Sequence, residues 1–228
     1  KVEVDALIDK KGLKKDEAVF NILREYIKES RAIRFDGDSY GETWEKEAKK
    51  RGLSNNKTTP EALKVKITKR AIDLFEEMDV MNKIELEARY EIELELYTKR
   101  VQIESRVLGD IARNHIVPTA IIYQNNLLEN TKNIKEIFGD DFKNIAKEQI
   151  ELIMVISNHI TEINSLVNKM IDERKKANKL SGLKSAEYYC QKVQPFFEQI
   201  RYHCDKLETM VDDNLWPLTK YRELLFTK

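Results

Sequence analysis

The feature that most constrains this chain is a helical period that persists over long stretches. From Asn82 to about Phe138, apolar residues recur every three or four positions, and Pro118 is the one proline in that stretch. This period is typical of amphipathic α-helices, whereas half-buried strands alternate every second residue. Because a proline inside a helix removes a hydrogen bond and kinks the helix, we expect a bend near His115. The residues expected on the core face are Ile84, Ala88, Ile92, Leu96, Val101, Leu108, Ile111 and Ile116.

Two further long helices follow with the same period. Gly139 is expected to end the first helix, and Asp140 can cap the second, which should run to about Lys179. A third is expected from Ser185 to about Asn214. The two predicted core stripes are Phe142, Ile145, Gln149, Ile153, Ile156, Ile160, Ile163, Val167 and Met170, and then Ala186, Tyr189, Val193, Phe196, Ile200, Cys204, Leu207 and Met210. Short joints let such helices pack antiparallel, each burying one stripe.

The first eighty residues are interrupted more often than the rest. Glycines and one proline separate short amphipathic patterns there: Gly12, Gly37, Gly41, Gly52 and Pro60. We therefore predict an all-α fold in which short helices precede an antiparallel bundle of about three long helices. Residues 1–80 would be a short-helix segment that continues a larger globular body. Residues 81–228 would be the long bundle with an apolar C-terminal tail.

Composition and charge exclude several classes of function. Forty basic residues balance forty acidic ones, which gives no attraction to nucleic acid or to an anionic membrane. No apolar run approaches the ~20 residues that span a bilayer, and the first residues lack both Met and the apolar stretch of a signal peptide. Cys190 and Cys204 lie about 21 Å apart along one predicted helix, too far for a disulfide. We expect a cytoplasmic protein with reduced thiols, cut from a longer sequence.

The stretch FDGDSYGETWEKE, residues 35–47, allows two interpretations. Loop positions one, three, six and twelve of an EF-hand calcium site would be Asp36, Asp38, Gly41 and Glu47. However, Tyr40 at position five is a poor ligand for a hard cation. The alternative, which we favour, is a turn before a helix, in which Asp38 or Ser39 caps and Glu42 and Glu45 lie near the positive end of the helix dipole.

No pattern of catalytic or metal-binding residues is found in the sequence. The residue three positions before each histidine is apolar, so the Glu-x-x-His pairs of di-iron bundles are absent. His203 and Cys204 are adjacent but point about 100° apart on a helix, and glycine-rich phosphate loops are missing. We predict no catalytic, cofactor-binding or metal-binding residue in this chain.

An acidic run could form a metal site or an ordinary solvated helix face. Its members are Glu85, Glu87, Glu91, Glu93 and Glu95. We favour the solvated face because Arg89, Lys99 and Arg100 lie within reach for ion pairs.

The C-terminal segment LWPLTKYRELLF, residues 215–226, is apolar enough to require burial. Either it folds back on this chain, or it docks on sequence outside the chain or on a neighbouring subunit.

The order of several segments resembles the C-terminal region of type III glutamine synthetases. The stretch RFDGDSYGETWEKEAKKRGLSNNKTTPEAL resembles the sequence that follows the catalytic core in that family. Further similar segments, in order, are AIDLFEEMDVMNKIELEARYEIELELYTK, IESRVLGDIARNHIVPTAIIYQ and LETMVDDNLWPLTKYRELLF. Ser54 stands where the family pattern has Pro, and Ala88 where it has Ser.

The resemblance implies a parent enzyme that ligates ammonia to glutamate, using ATP and Mg²⁺ or Mn²⁺, and that assembles into a large homo-oligomeric ring. The family's metal, glutamate and nucleotide residues would precede Lys1, so none is carried over to this chain. Partners would be the upstream catalytic domain and further copies, with neither nucleic acid nor membrane. A non-catalytic helical adaptor with its own protein partner remains the alternative, and a calcium-binding loop is a third hypothesis.

Overall fold

The structure, a computed structural model, describes residues 2–38 and 40–226, and every regular element within them is helical. The all-α prediction is therefore confirmed. The chain divides into two compact units, Lys1–Lys57 and Thr58–Lys228. The domain boundary that we predicted at residue 80 stays a prediction.

The first unit contains three helices: α1 (Val2–Lys11), α2 (Lys15–Glu29) and α3 (Glu42–Lys50). Helices α1 and α2 pack as a hairpin, in which the Tyr26 hydroxyl donates to Glu3 Oε2 at 2.7 Å. Among the described residues of this unit, only Ala18 and Ala48 are fully buried. Its own core is therefore very small.

The second unit contains the long helices and several short ones. They are α4 (Thr59–Lys64), α5 (Lys69–Glu77), α6 (Lys83–Asp110), α7 (Val117–Phe138), α8 (Phe142–Ile145), α9 (Lys147–Ala177), α10 (Gly182–Tyr188), α11 (Pro195–Glu208) and α12 (Tyr221–Leu224). Helix α9 packs against both α7 and α11, while α4 and α10 pack on α6. The second long helix thus begins at Lys147 and not at Asp140, because Gly139–Asp141 form a 3₁₀ turn and α8 adds one separate helical turn.

Local sequence explains where the first long helix begins and ends. At the start of α6, Asn82 Oδ1 accepts from the Glu85 amide at 3.0 Å, and Glu85 Oε2 accepts from the Asn82 amide at 2.9 Å. This capping box satisfies two amide groups that would otherwise lack partners. At the end of α7, Gly139 has a φ of +57°, in the left-handed region that glycine tolerates best. The predicted end at Gly139 is confirmed.

Both long helices that contain a proline widen into a π-helix just before it. Residues Ile111–Ile116 form a π-helix ahead of Pro118, so the interruption expected near His115 is confirmed in position. A second π-helix, Tyr189–Val193, precedes Pro195, and there the Gln194 amide donates to Tyr189 O at 2.9 Å. The third long helix was predicted without a break and to reach Asn214, whereas α11 ends at Glu208. Pro195 cannot donate to the preceding turn, which explains why the helix changes its winding there.

The main core lies where α7, α9 and α11 meet the π-helices. Its fully buried side chains include Ile156, Ile163, Met170, Ile200 and Leu207, all at 0–1% exposure. These residues belong to the two core stripes predicted for the second and third long helices. A smaller cluster, formed around Tyr90, Leu94 and Ala186, joins α6 to α10.

The core stripe predicted for the first half of α6 is wrong. Ile84, Ile92 and Leu96 are 77, 57 and 51% exposed, whereas the buried residues are Leu86, Tyr90, Leu94, Val101, Ser105 and Gly109. Helix α6 carries apolar residues on two opposite faces, and the face that packs on the bundle includes a serine and a glycine. Periodicity alone does not distinguish the outer face from the inner face of Leu86, Tyr90 and Leu94, because both carry large apolar side chains at helical spacing.

Candidate functional site

Two histidines from facing helices meet at the surface of the bundle. His159 on α9 and His203 on α11 bring their Nδ1 atoms to 2.8 Å, and both side chains are partly buried. At this distance one Nδ1 donates and the other accepts, so at least one of the two rings is neutral at Nδ1. Tyr202 stacks edge-on against His203, with ring centroids 5.1 Å apart.

Burial and nearby charges favour the neutral form of His159. Burial lowers the pKa of His159 below its ordinary value, and the nearby His203 and Lys206 lower that pKa further. Within the part of the chain that the structure describes, no group of three or more His, Cys, Asp or Glu side chains could hold a metal ion. We interpret the pair as a proton-sharing contact between helices.

The sequence contained a signal for this pair that our reading did not use. His159 lies 22 residues before Ser181 and His203 lies 22 residues after it, and Ser181 is in the joint between α9 and α10. In an antiparallel hairpin, positions equidistant from the joint lie at the same level. Matching the positions on the two sides of the joint therefore predicts that His159 and His203 lie at the same level.

The acidic run on α6 is used in ordinary contacts. Glu85 forms the capping box, Glu87 pairs with Lys83 at 3.7 Å, and Glu93 pairs with Lys66 at 2.6 Å. These contacts agree with a solvated helix face, although the cations differ from Arg89, Lys99 and Arg100, which we expected. Lys66 lies outside α6, so the spacing of residues along α6 cannot predict that it pairs with Glu93.

The acidic turn at residues 35–47 makes contacts typical of a structural turn. Asp38 Oδ1 accepts from the Tyr40 amide at 2.9 Å, and Glu47 accepts from Arg51 Nε at 2.6 Å within α3. That hydrogen bond holds the pKa of Glu47 below its usual value. The cap expected from Asp38 is wrong, since the N-cap of α3 is Gly41 without a side-chain bond. Ser39, the alternative cap, lies outside the described residues.

Both cysteines are free thiols. Cys204 is buried in the main core, and burial raises its pKa to about 12. A thiol with so high a pKa has almost no nucleophilic thiolate at neutral pH. Cys204 is therefore a core residue.

The C-terminal segment divides into a buried part and an exposed part. Trp216 is 9% exposed and belongs to the main core, with Leu215 packed beside it. Leu224, Leu225 and Phe226 are 56, 62 and 81% exposed. The beginning of the segment thus folds back on the chain, and Lys220 Nζ also donates to Glu208 O at 3.1 Å.

Helix α2 exposes an apolar face. Its members are Phe20, Leu23, Tyr26 and Ile27, which are 65, 53, 50 and 54% exposed. A contiguous apolar patch of this kind usually marks an interaction surface.

Comparison with known proteins identifies the family. The model of the family described as "Glutamine synthetase C-terminal domain" matches residues 18–135, which is more than half of the chain. The chain belongs to this family. The resemblance predicted from the sequence is thereby confirmed.

Similar proteins extend the match over the whole chain. A glutamine synthetase of Bacteroides fragilis is 47% identical over 100% of this chain and 31% of its own length. A type-3 glutamine synthetase of Dictyostelium discoideum is 31% identical over 93% of the chain, and a glutamine synthetase of Butyrivibrio fibrisolvens is 27% identical over 92%. The chain spans about a third of the length of these relatives.

The glutamine synthetase C-terminal domain described here is helical throughout its regular elements. Among residues 2–38 and 40–226, no helix is both long and apolar enough to cross a membrane. The geometry offers packing surfaces and one histidine pair.

Proposed function

We propose that this chain is the C-terminal helical region of a glutamine synthetase and that it serves assembly, while catalysis takes place in a separate upstream region. In the complete enzyme, ammonia is joined to glutamate at the expense of ATP with Mg²⁺ or Mn²⁺. The enzyme is a cytoplasmic homo-oligomeric ring. The observation that carries the proposal is the family match, together with relatives that are about three times as long as this chain.

The apolar face of α2 supports a structural role toward the upstream region. This face lies in the unit whose own buried residues are two alanines among those described. Burying a leucine side chain contributes roughly 1.5–3 kcal/mol. The face would gain that stabilisation when the upstream region covers it.

The activity is tested by assaying the complete protein and the 228-residue chain in parallel. The complete protein is expected to form glutamine from glutamate, ammonia and ATP, and the chain alone is expected to form none. A complete protein that binds a foreign protein stably and makes no glutamine would instead support the adaptor function.

The structural role is tested by Leu23→Asp, with Lys28→Gln as the control on the same helix. Leu23→Asp is expected to lower the stability of the complete protein by about 2 kcal/mol, and that of the chain alone by less than about 0.5 kcal/mol. Lys28→Gln is expected to leave both nearly unchanged, because Lys28 is exposed and lies about 80° or more around the helix from each member of the apolar face. Equal effects of Leu23→Asp in both proteins would refute the proposed contact.

A further inference from the structure

The outer face of α6 carries a row of apolar side chains, which we call the outer ridge. Its members are Ile92, Leu96, Ile103 and Val107, which are 57, 51, 59 and 50% exposed. Ile103 follows the buried Leu94 by nine residues, and at about 100° per residue this places it on the opposite side of the helix. The ridge extends over about 23 Å of the helix axis.

At its C-terminal end the outer ridge opens into an apolar groove between α6 and α11. Its apolar lining includes Ile103, Val107 and Phe197, and its charged lining residues are Glu104, Glu198 and Arg201. The groove could receive an apolar side chain.

Charges flank the outer ridge, and some of them can meet an opposite charge of an antiparallel second copy when the twofold axis lies away from the centre of their run. Glu95, Lys99, Arg100 and Glu104 run acid, base, base, acid along the helix. None of the four takes part in an ion pair between described residues. If a second α6 lies antiparallel across the ridge, with the twofold axis at the level of residue 97, Glu95 meets Lys99 of the second copy.

The same arrangement brings further positions of the outer ridge and its flanks together. It places Ile92 against Ile103 of the second copy, beside the groove, and it brings the two Leu96 side chains together near the axis. Arg89 then lies close to the level of Glu104 of the second copy, which lines the groove. An isologous twofold contact requires such self-complementarity, whereas an unrelated covering segment does not.

We propose that the outer ridge of α6 pairs antiparallel with the outer ridge of a second copy of this protein. This proposal rests on the assembly role proposed above, and it specifies the outer ridge as the surface and a second copy of the protein as the partner. It assigns the exposed face of α6 to a contact between identical chains.

The pairing is tested by cysteine cross-linking in the complete protein. A disulfide requires Cα atoms within about 7 Å, which the two copies of residue 96 would satisfy. The matched control is Glu91→Cys, since residues 91 of two such copies would be about 18 Å apart along the axis. Mild oxidation is expected to produce a disulfide-linked dimer from Leu96→Cys and far less from Glu91→Cys. Folded Leu96→Cys protein that yields no dimer, or yields no more than Glu91→Cys, would overturn the pairing.

Charge reversal provides a second measurement. Glu95→Lys and Lys99→Glu would each place like charges across the axis, so each is expected to weaken assembly, as measured by sedimentation. The double variant restores opposite charges and is expected to restore assembly. Absence of rescue in the folded double variant would contradict the proposed register.

The failure of the pairing can be distinguished from failure of the proposed function. If the complete protein assembles and makes glutamine but gives no cross-link at residue 96, only the pairing is wrong. If the complete protein is monomeric, the assembly role itself is wrong.

Discussion

Replacing Trp216 by alanine tests whether the start of the C-terminal segment is part of the core. Trp216 is 9% exposed, packs in the main cluster, and has the Lys220 ammonium 6.0 Å from its ring centroid. Phe226, ten residues later, is 81% exposed and provides the matched control.

The expected effect is the sum of two opposing contributions. Truncating a buried tryptophan to alanine costs about 3–5 kcal/mol, because packing is lost and a cavity is left. However, the buried Trp216 Nε1 has no hydrogen-bond partner among the described atoms, and removing an unsatisfied buried donor recovers about 1–2 kcal/mol. The net destabilisation is therefore about 1–4 kcal/mol, with a midpoint of about 2.5 kcal/mol. For a chain of this size, the midpoint value lowers the melting temperature by about 5–10 °C.

The assay is thermal unfolding of the 228-residue chain, followed by helical circular dichroism. Trp216→Phe removes the unpaired donor, retains most of the packing, and is expected to change stability by less than about 1 kcal/mol. Phe226→Ala is expected to stay within about 0.5 kcal/mol of the unchanged protein. Equal shifts for Trp216→Ala and Phe226→Ala would refute the division of the segment into buried and exposed parts.

Three further predictions follow from particular contacts. The pKa of His159 is lowered in the folded state, so the unfolded chain binds this proton more readily and stability should fall as the pH drops below about 6.5. His159→Gln should remove this part of the pH dependence of the urea midpoint, and an unchanged slope would contradict the assignment. A Cβ on Gly109 would lie 3.4 and 3.5 Å from two core side chains, so Gly109→Ala should change stability by less than about 1 kcal/mol. Gly109→Leu should destabilise by about 2 kcal/mol or more, and a urea titration that ranks the two equally would argue against this close approach. Millimolar calcium should leave the fluorescence of Trp44 unchanged in a Trp216→Phe background. The Trp44 ring lies 4.9 Å from that of Phe35 in the acidic turn, so a saturable change in its fluorescence would indicate that the turn binds calcium.

The class of fold could be predicted from the sequence because the helical period persists over long stretches that few glycines and prolines interrupt. Gly139 and the region of Pro118 act locally, so their effects on helix ends and winding could be anticipated. The π-helix before Pro195 has the same cause, a proline that cannot donate to the preceding turn. It was not predicted because the apolar stripe continues without a break on both sides of Pro195.

Contacts between elements were harder to predict than the elements themselves. Helix α6 has apolar residues on two opposite faces, and the choice between them depends on which helices pack against it. The face that packs is the one with Ser105 and Gly109, because small side chains allow a neighbouring helix to approach closely. Similarly, the pairing of Glu93 with Lys66 depends on how a short helical segment folds back on α6.

The histidine pair shows that part of the candidate site was accessible in principle. His159 and His203 are equidistant from the joint of their hairpin, so antiparallel packing places them level. Whether the rings touch still depends on rotation of each helix about its axis, which the stripes of α9 and α11 determine.

The most direct test of the central claim is calorimetric titration of ATP with Mg²⁺ into the complete protein and into the 228-residue chain. If the reacting groups lie outside this chain, the complete protein should bind the nucleotide saturably, while the chain alone should show only heats of dilution. Nucleotide binding by the isolated chain with comparable affinity would contradict the account.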